Sequence, residues 1–375
     1  MKSSSQKRPQ AKPSRRKRAT SSRSSKARPT SGLILSKFGD VRVGPILALP
    51  AVLRDLGVRP RRAFAAADVD PRIFRNPDAR IPLEDVGRLL ETCVRLTGCD
   101  HFGLLVGARF DLGGFGPLGL LLLNSASVGD AVRSLLLHLH LHDRGAAPVL
   151  LAPTPSSMLL GYSIYRRETP AIPQIYDAAI AIAYRILREL CGPTWKPRRV
   201  QFSYHKPSNT TPYAELFQSP VRFEAEVTGI KFASTYLQRP IEGADPALYK
   251  VLGTAMKEAE VNGGMSFGDQ VQGVLHQMVL SGSSSADAVA RLFGIHERTL
   301  RRRLADEGKI LHELIEPTRI ELAQQVLDNP EIPVTGIAAA LRYEDPNAFS
   351  RAFRSWAGRS PRQWRVDQKH RRSGC

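Results

Sequence analysis

Residues 286–304 read ADAVARLFGIHERTLRRRL and residues 345–356 read DPNAFSRAFRSW. In the first stretch Ala286, Val289, Ala290 and Phe293 recur at helical spacing and share one face. The small Ala290 lets a second helix pack closely, Gly294 permits a tight turn, and Ile295 is an apolar plug within it. A second helix is predicted from about His296 to Asp306, with Leu300 and Leu304 facing inward at i, i+4. That leaves Arg298, Arg301 and Arg302 facing outward and Arg303 nearer the flank. An aliphatic inner face opposite a guanidinium outer face suits a helix entering the DNA major groove. Arginine there bonds guanine O6 and N7 or anchors phosphates.

The second stretch repeats the layout. Residues 337–341 (IAAAL) predict a small-residue helix, with Ala338 and Ala339 suited to close packing. Asp345 is an N-cap type and Pro346 fits the first helical position. The helix then runs to about Trp356, with Phe349, Phe353 and Trp356 on one stripe. Asn347, Ser350, Arg351 and Arg354 face outward, where Asn can read adenine and Arg guanine or phosphate. A helix rich in Leu, Ile and Ala (residues 311–327) joins the two units, so that they could read successive major-groove faces on one side of the duplex. One such unit alone could be a plain helical hairpin. Two with Arg-lined second helices point to double-stranded DNA as the partner.

These residues resemble the DNA-binding domain of the AraC/XylS family of bacterial transcription regulators. The resemblance covers residues 286–365 and rests on the first stretch, on Arg319 and Ala323 in the connecting helix, and on residues 337–365. Phe349-Ser350-Arg351-Ala352-Phe353 with Gly358, Pro361 and Arg365 carries most of it. Upstream, Pro82-Leu83, Leu96-Thr97, residues 101–104 (HFGL) and 115–119 (FGPLG) resemble the arabinose-binding-type ligand and dimerisation domain of one branch of that family. The resemblance implies a homodimer that binds promoter DNA, works with RNA polymerase, activates rather than represses, and answers to an unidentified small-molecule effector. Three positions depart from the family pattern. Arg342 stands between Leu341 and Tyr343 where glycine is usual, His296 replaces a Ser/Thr cap, and Pro317 falls within the connecting helix, predicting a kink or a start near Glu316.

Outward from this region the chain reads as a disordered basic tail (1–31), an α+β effector/dimerisation domain (33–245), a connection (246–265) and an all-α DNA-binding domain with two helix-turn-helix units (266–368). Residues 82–97 predict a helix closed by Gly98, as do 127–141 and 174–190. Residues 158–165, 199–204, 221–223 and 229–232 predict strands. The connection contains a predicted helix at 246–260. No pocket residue can be named from this pattern.

The net charge of +19 is mostly a property of the tail, which holds eleven Lys/Arg and no acidic residue. Residues 32–280 carry 27 basic and 23 acidic side chains, so pI alone does not establish DNA binding. Such a tail either adds sequence-independent phosphate contacts or is simply solvated. No apolar run reaches the roughly 18–20 residues of a membrane span, and no signal peptide is visible. A cytoplasmic protein with no membrane partner is expected. The spacing of Cys93, Cys99, Cys191 and Cys375 suits neither a zinc ribbon nor a redox pair, which predicts reduced, mostly buried thiols. Within His138-Leu139-His140-Leu141-His142, a helix would put His138 and His142 on one face and His140 elsewhere; ordinary histidines are preferred there to a metal site. Residues 113–119 lack the Lys-Ser/Thr of a phosphate loop, and no catalytic signature or cofactor motif is found. A DNA-repair enzyme carrying this domain would need clustered cysteines, which the spacing denies. A sequence-tolerant DNA-organising protein acting through its basic tail is the remaining alternative.

Overall fold

Two arginines face each other across the first strand pairing. β1 (Asp40–Arg42) runs antiparallel to β2 (Arg80–Pro82), with Arg42 opposite Arg80 and Val41 opposite Ile81. The structure is a computed structural model that describes Met1 and residues 39–164, 169–262, 266–280, 284–327, 334–335, 338, 343 and 345–373. The basic segment expected to be disordered lies outside these residues, Met1 apart, as does all of the predicted helix 337–341 except Ala338. Between the two strands come α1 (Leu49–Asp55) and α2 (Pro60–Ala66), each with a proline in its first turn, where the missing N–H removes no helical bond. α3 (Leu83–Thr97) follows β2 directly and stops at left-handed Gly98, as its sequence predicts. Its apolar face packs with α1, α2 and the ribbon into one core that includes Val43, Leu49, Leu53, Phe64, Leu89 and Cys93.

Next come α4 (Phe102–Ala108), α5 (Pro117–Leu123), α6 (Val128–His138), β3 (Ala146–Thr154), β4 (Ser157–Ile164) and α7 (Ile172–Cys191). β5 (Arg199–Gln201), α8 (Thr211–Phe217), β6 (Val221–Arg222) and β7 (Gly229–Ala233) complete the region. The strands form one sheet in the order β3-β4-β7-β5-β6, antiparallel except for β5–β6. The expected α+β layout is therefore what the chain forms, with strands shorter than predicted at 199–204 and 221–223. The sequence reading missed β3, because Pro148 and Pro153 interrupt it. Both prolines are tolerated since β3 is the terminal strand of its sheet. α7 is the central beam. α4 lies against it so closely that a Cβ at Gly103 or Gly107 would come within 2.0 or 2.3 Å of the Gln174 or Ala178 carbonyl oxygen. A second core, with Trp195, Tyr184, Phe202 and Phe217, fills the space between α7 and the sheet. Asp177 is buried there and accepts hydrogen bonds from Tyr204 and, at 2.8 Å, Tyr213; burial nonetheless pushes its carboxyl up to about 7.

α9 (Pro246–Asn262) packs on α5 and contributes Met256 to the second core. The rest is helical: α10 (Phe267–Leu280), α11 (Ala286–Leu292), α12 (Glu297–Asp306), α13 (Leu311–Leu327), α14 (Pro346–Ala357) and α15 (Pro361–Ser373). α13 runs through Pro317 and begins well before Glu316, so the helix does not start at the later of the two predicted places. A third core gathers Val271, Leu275, Val289, Leu300, Leu304, Leu322, Phe349 and Phe353.

α10 also packs against β3 and α6, and Leu137 joins the third core. The histidine reading needs correction here. α6 ends at His138 and a 3-10 turn covers Leu139–Leu141, so the helical spacing on which it relied stops short. His138 Nδ1 lies 3.0 Å and His140 Nε2 3.4 Å from the Glu260 carboxylate, whereas His142 turns to Arg42. Burial works to raise the Glu260 pKa, but the two imidazoles outweigh it and hold the group at about 2. A Cβ at Gly273 of α10 would lie 3.4 Å from His140, so α10 sits directly on this cluster.

Candidate nucleic-acid interface and buried cavity

The first helix-turn-helix is built from short-range rules. Ser285 caps α11, its hydroxyl accepting from the Ala288 N–H at 3.2 Å. Gly294 takes the left-handed turn (φ +65°), and the Ile295 N–H reaches back to the Ala290 carbonyl at 3.0 Å. α12 buries Leu300 and Leu304. Arg298, Arg301, Arg302 and Arg303 are all exposed, and they are not equivalent. Arg301 is held by Glu297 one turn back, with Nε and a terminal nitrogen 2.8 and 2.5 Å from the same carboxylate oxygen. The Arg303 guanidinium lies 5.3 Å over the Phe267 ring, on the flank as predicted. Among the described residues no ion pair is made by Arg298 or Arg302. His296 occupies the cap position without a side-chain hydrogen bond, which fits its departure from Ser/Thr.

A polar latch missed by the sequence reading fixes this unit to α10. The Glu307 carboxylate accepts from the Phe267 and Gly268 N–H groups at 2.6 and 2.9 Å, covering two orphan donors at the helix start. Lys309 Nζ donates to Ser266 Oγ at 2.8 Å and Asp269 at 3.0 Å. Burial works against ionisation of Glu307, yet these donors hold its carboxyl below the ordinary value. Nothing local in residues 307–309 (EGK) marks this role, because its partners lie about forty positions upstream.

In the second unit the Asp345 carboxylate accepts from the Asn347 and Ala348 N–H groups at 2.6 and 2.8 Å, with Pro346 in the first turn. α14 buries Phe349 and Phe353 and closes at left-handed Gly358 (φ +69°). Tyr343 and Trp364 add to an aromatic cluster around these rings. Asn347, Arg351 and Arg354 are exposed as predicted. Ser350 is half-buried and donates to the Pro346 carbonyl at 2.8 Å, so its proton is already used. Residues 341–342 lie outside the described residues, and with them the non-glycine turn. α15 adds an exposed Arg362, which the sequence reading did not single out.

The N-terminal region contains a cavity of about 110 Å³. Its walls are mainly aliphatic and come from the β-ribbon, α3, α6, β4 and α7. Arg42, His142, Asp143 and Tyr162 gather in its lining. Leu135, Leu139 and His142 line it from the segment whose other residues, Leu137, His138 and His140, touch α9 and the third core.

Two family models match this chain: the N-terminal arabinose-binding domain of AraC transcription regulators over residues 57–241, and a helix-turn-helix domain over residues 289–367. The chain is 29% identical over 316 residues to the HTH-type transcriptional regulator VirS of Mycobacterium tuberculosis, covering 84% of this chain and 93% of that protein. It is 28% identical over 335 residues to the ornithine utilization regulator of Pseudomonas aeruginosa, covering 85% and 94%. Among solved structures, the transcriptional regulator CdpR from Pseudomonas aeruginosa aligns with a TM-score of 0.41 at 22% identity, covering 82% of this chain and 96% of that one.

Proposed function

The chain belongs to the AraC/XylS family of transcription regulators, and on that premise we propose that it recognises a specific promoter sequence as a cytoplasmic homodimer. It activates transcription together with RNA polymerase when a small molecule occupies its N-terminal cavity. The DNA-binding reading rests above all on α12, which buries Leu300 and Leu304 while leaving Arg298 and Arg302 exposed and without an ion pair among the described residues. A helix so built offers guanidinium groups to base edges and phosphates without first breaking an internal contact. Arg301, Arg303, Asn347, Arg351 and Arg354 extend the face, and Ser350 contributes an acceptor only. No helix among the described residues is long and apolar enough to cross a membrane.

Effector control is supported by the segment 135–142, which forms part of the cavity wall and also meets α9 and the third core. A ligand that favours one placement of this segment shifts the DNA-binding state by its differential affinity for the two placements.

Selection of bound sequences from random duplex DNA, with the full chain and with a version lacking residues 1–31, tests the first part. One motif with two sub-elements about a helical turn apart, recovered by both proteins, is the expected result. If neither protein yields a motif and binding vanishes with salt or with the tail, the sequence-tolerant DNA-organising alternative takes its place.

A further inference from the structure

The chemistry of the cavity narrows what can occupy it. A sugar presents a hydroxyl on almost every carbon and needs a hydrogen-bonding partner for each one it buries. This cavity offers the opposite surface, with Ile46, Val86, Leu90, Leu160, Ile182 and Ile186 among its walls. On α7, Ala179 and Ala183 are only half-buried although Ala178 and Ile186 beside them are buried, so small side chains border the open space.

The polar side, in contrast, brings two guanidinium groups together on a partly buried strand pair. Arg42 and Arg80 stand directly opposite each other in the β-ribbon, an arrangement that repels and destabilises a strand pair. The Arg42 side chain is only 11% exposed, and its partner Asp78 is 73% exposed on the adjoining loop. Arg80 donates to the Leu141 carbonyl at 2.8 Å, while its Nε and other terminal nitrogen are buried without a hydrogen-bond partner among the described residues. Burial lowers the Arg80 pKa to about 10, and repulsion from Arg144 and Arg42 adds to the effect. Asp40 and Asp143 offset part of this, but neither gives the free Arg80 nitrogens a hydrogen bond. Asp143 accepts from Tyr162 and from the Gly145 and Ala146 N–H groups at 2.8 and 3.1 Å. Burial, with Arg42 and Arg80 nearby, depresses the His142 pKa well below its usual value, so it is a neutral ring beside Arg42 and not a further cation.

We infer that the effector is a small, largely apolar carboxylic acid, its hydrocarbon body lying against α3, β4 and α7 and its carboxylate received by Arg42, with Arg80 reinforcing the positive pole. The inference deepens the effector-controlled reading and rests on it. A carboxylate at Arg42 replaces the solvated Asp78 with a desolvated bidentate partner, and it places a further negative charge beside the two guanidinium groups. A neutral alcohol of the same body fills the apolar space but offers Arg42 no negative charge.

The test uses the full chain and four probes: octanoate, benzoate, octan-1-ol and L-arabinose. Binding is read by calorimetry, with affinity for the selected promoter duplex measured separately. At least one acid is expected to bind tenfold or more tightly than octan-1-ol, and arabinose not at all. Arg42→Gln removes the preference for acid over alcohol, whereas Ala179→Phe, which fills the cavity from α7, abolishes binding of both. Circular dichroism and the melting temperature establish that each variant is folded. If Ala179→Phe does not fold, Ala183→Leu takes its place with the same expected loss. Arabinose binding, equal affinity for acid and alcohol, or no binding of any probe by a chain that still selects its promoter overturns the inference and leaves the regulator intact. Loss of specific DNA binding in the unmodified chain instead removes the reading on which it rests.

Discussion

The two helix-turn-helix units present similar outer faces and are held in place by different forces. The first keeps α12 with two leucines and ties the end of that helix to α10 through Glu307, Lys309, Ser266 and Asp269. The second keeps α14 with Phe349 and Phe353 packed among Tyr343, Trp356 and Trp364. Charged contacts at a half-exposed surface weaken with salt and with titration, whereas buried aromatic area does neither. Placement of α12 is therefore sensitive to solution conditions, and placement of α14 depends mainly on packing.

The largest expected effect follows from that difference. Phe353→Ala removes a fully buried ring and should cost about 3–5 kcal/mol of stability, measured by denaturant unfolding. A loss below about 1 kcal/mol would mean that the aromatic cluster does not hold the second unit. On the DNA side, Arg302→Ala and Arg351→Ala should each weaken promoter binding by about 1–3 kcal/mol and relax specificity at one base position. Unchanged affinity and specificity in both would remove these two faces from the interface. Arg301→Ala should cost less than Arg302→Ala, because Glu297 already engages that guanidinium and must release it first. Equal losses in the same binding assay would show that the internal pair exerts no restraint.

Much of this region was legible because its determinants are local. Gly294, Asp345-Pro346, the Leu300/Leu304 pair and the Phe349/Phe353 stripe each act within a few residues, and the structure places them where helical spacing requires. The latch was hidden because Glu307 meets α10 some forty residues away in sequence. Upstream, long-range pairing dominates. Arg42 and Arg80 become a like-charged pair only through the register of β1 with β2, and the cavity walls come from segments as far apart as Val41 and Ile186. β3 was masked by two prolines that only an outer strand accommodates. The histidine cluster misled for the opposite reason. Its spacing is helical, but the helix stops at its first member and gives way to a tighter turn.

The smallest expected effect isolates the latch by pH. Glu307 and Asp269 are both held below their ordinary carboxyl values; burial opposes ionisation in each, and the hydrogen bonds they accept outweigh it. Such groups contribute stability above the unfolded carboxyl pKa, near 4, and lose it as pH falls through the lower folded value. Lys309, with its pKa raised despite desolvation, contributes below its unfolded value and loses that contribution only at high pH, so it plays no part in the acid window. Asp345, capping the second unit, is also depressed by the Ala348 N–H and titrates in the same acid range. The informative quantity is therefore the difference between the unmodified chain and Glu307→Gln, which keeps an acceptor near α10 but cannot titrate. Since Glu307 lies at the surface with its side chain 26% exposed, solvent screens its charge and that difference should stay within about 1 kcal/mol at neutral pH. It should shrink as pH falls below the unfolded carboxyl value, near 4, with promoter binding at neutral pH growing more salt-sensitive in the variant as α12 loosens. A difference that holds constant down to pH 3 would mean that the Glu307 charge does not fix the first unit, leaving Leu300 and Leu304 to hold it much as the phenylalanines hold the second.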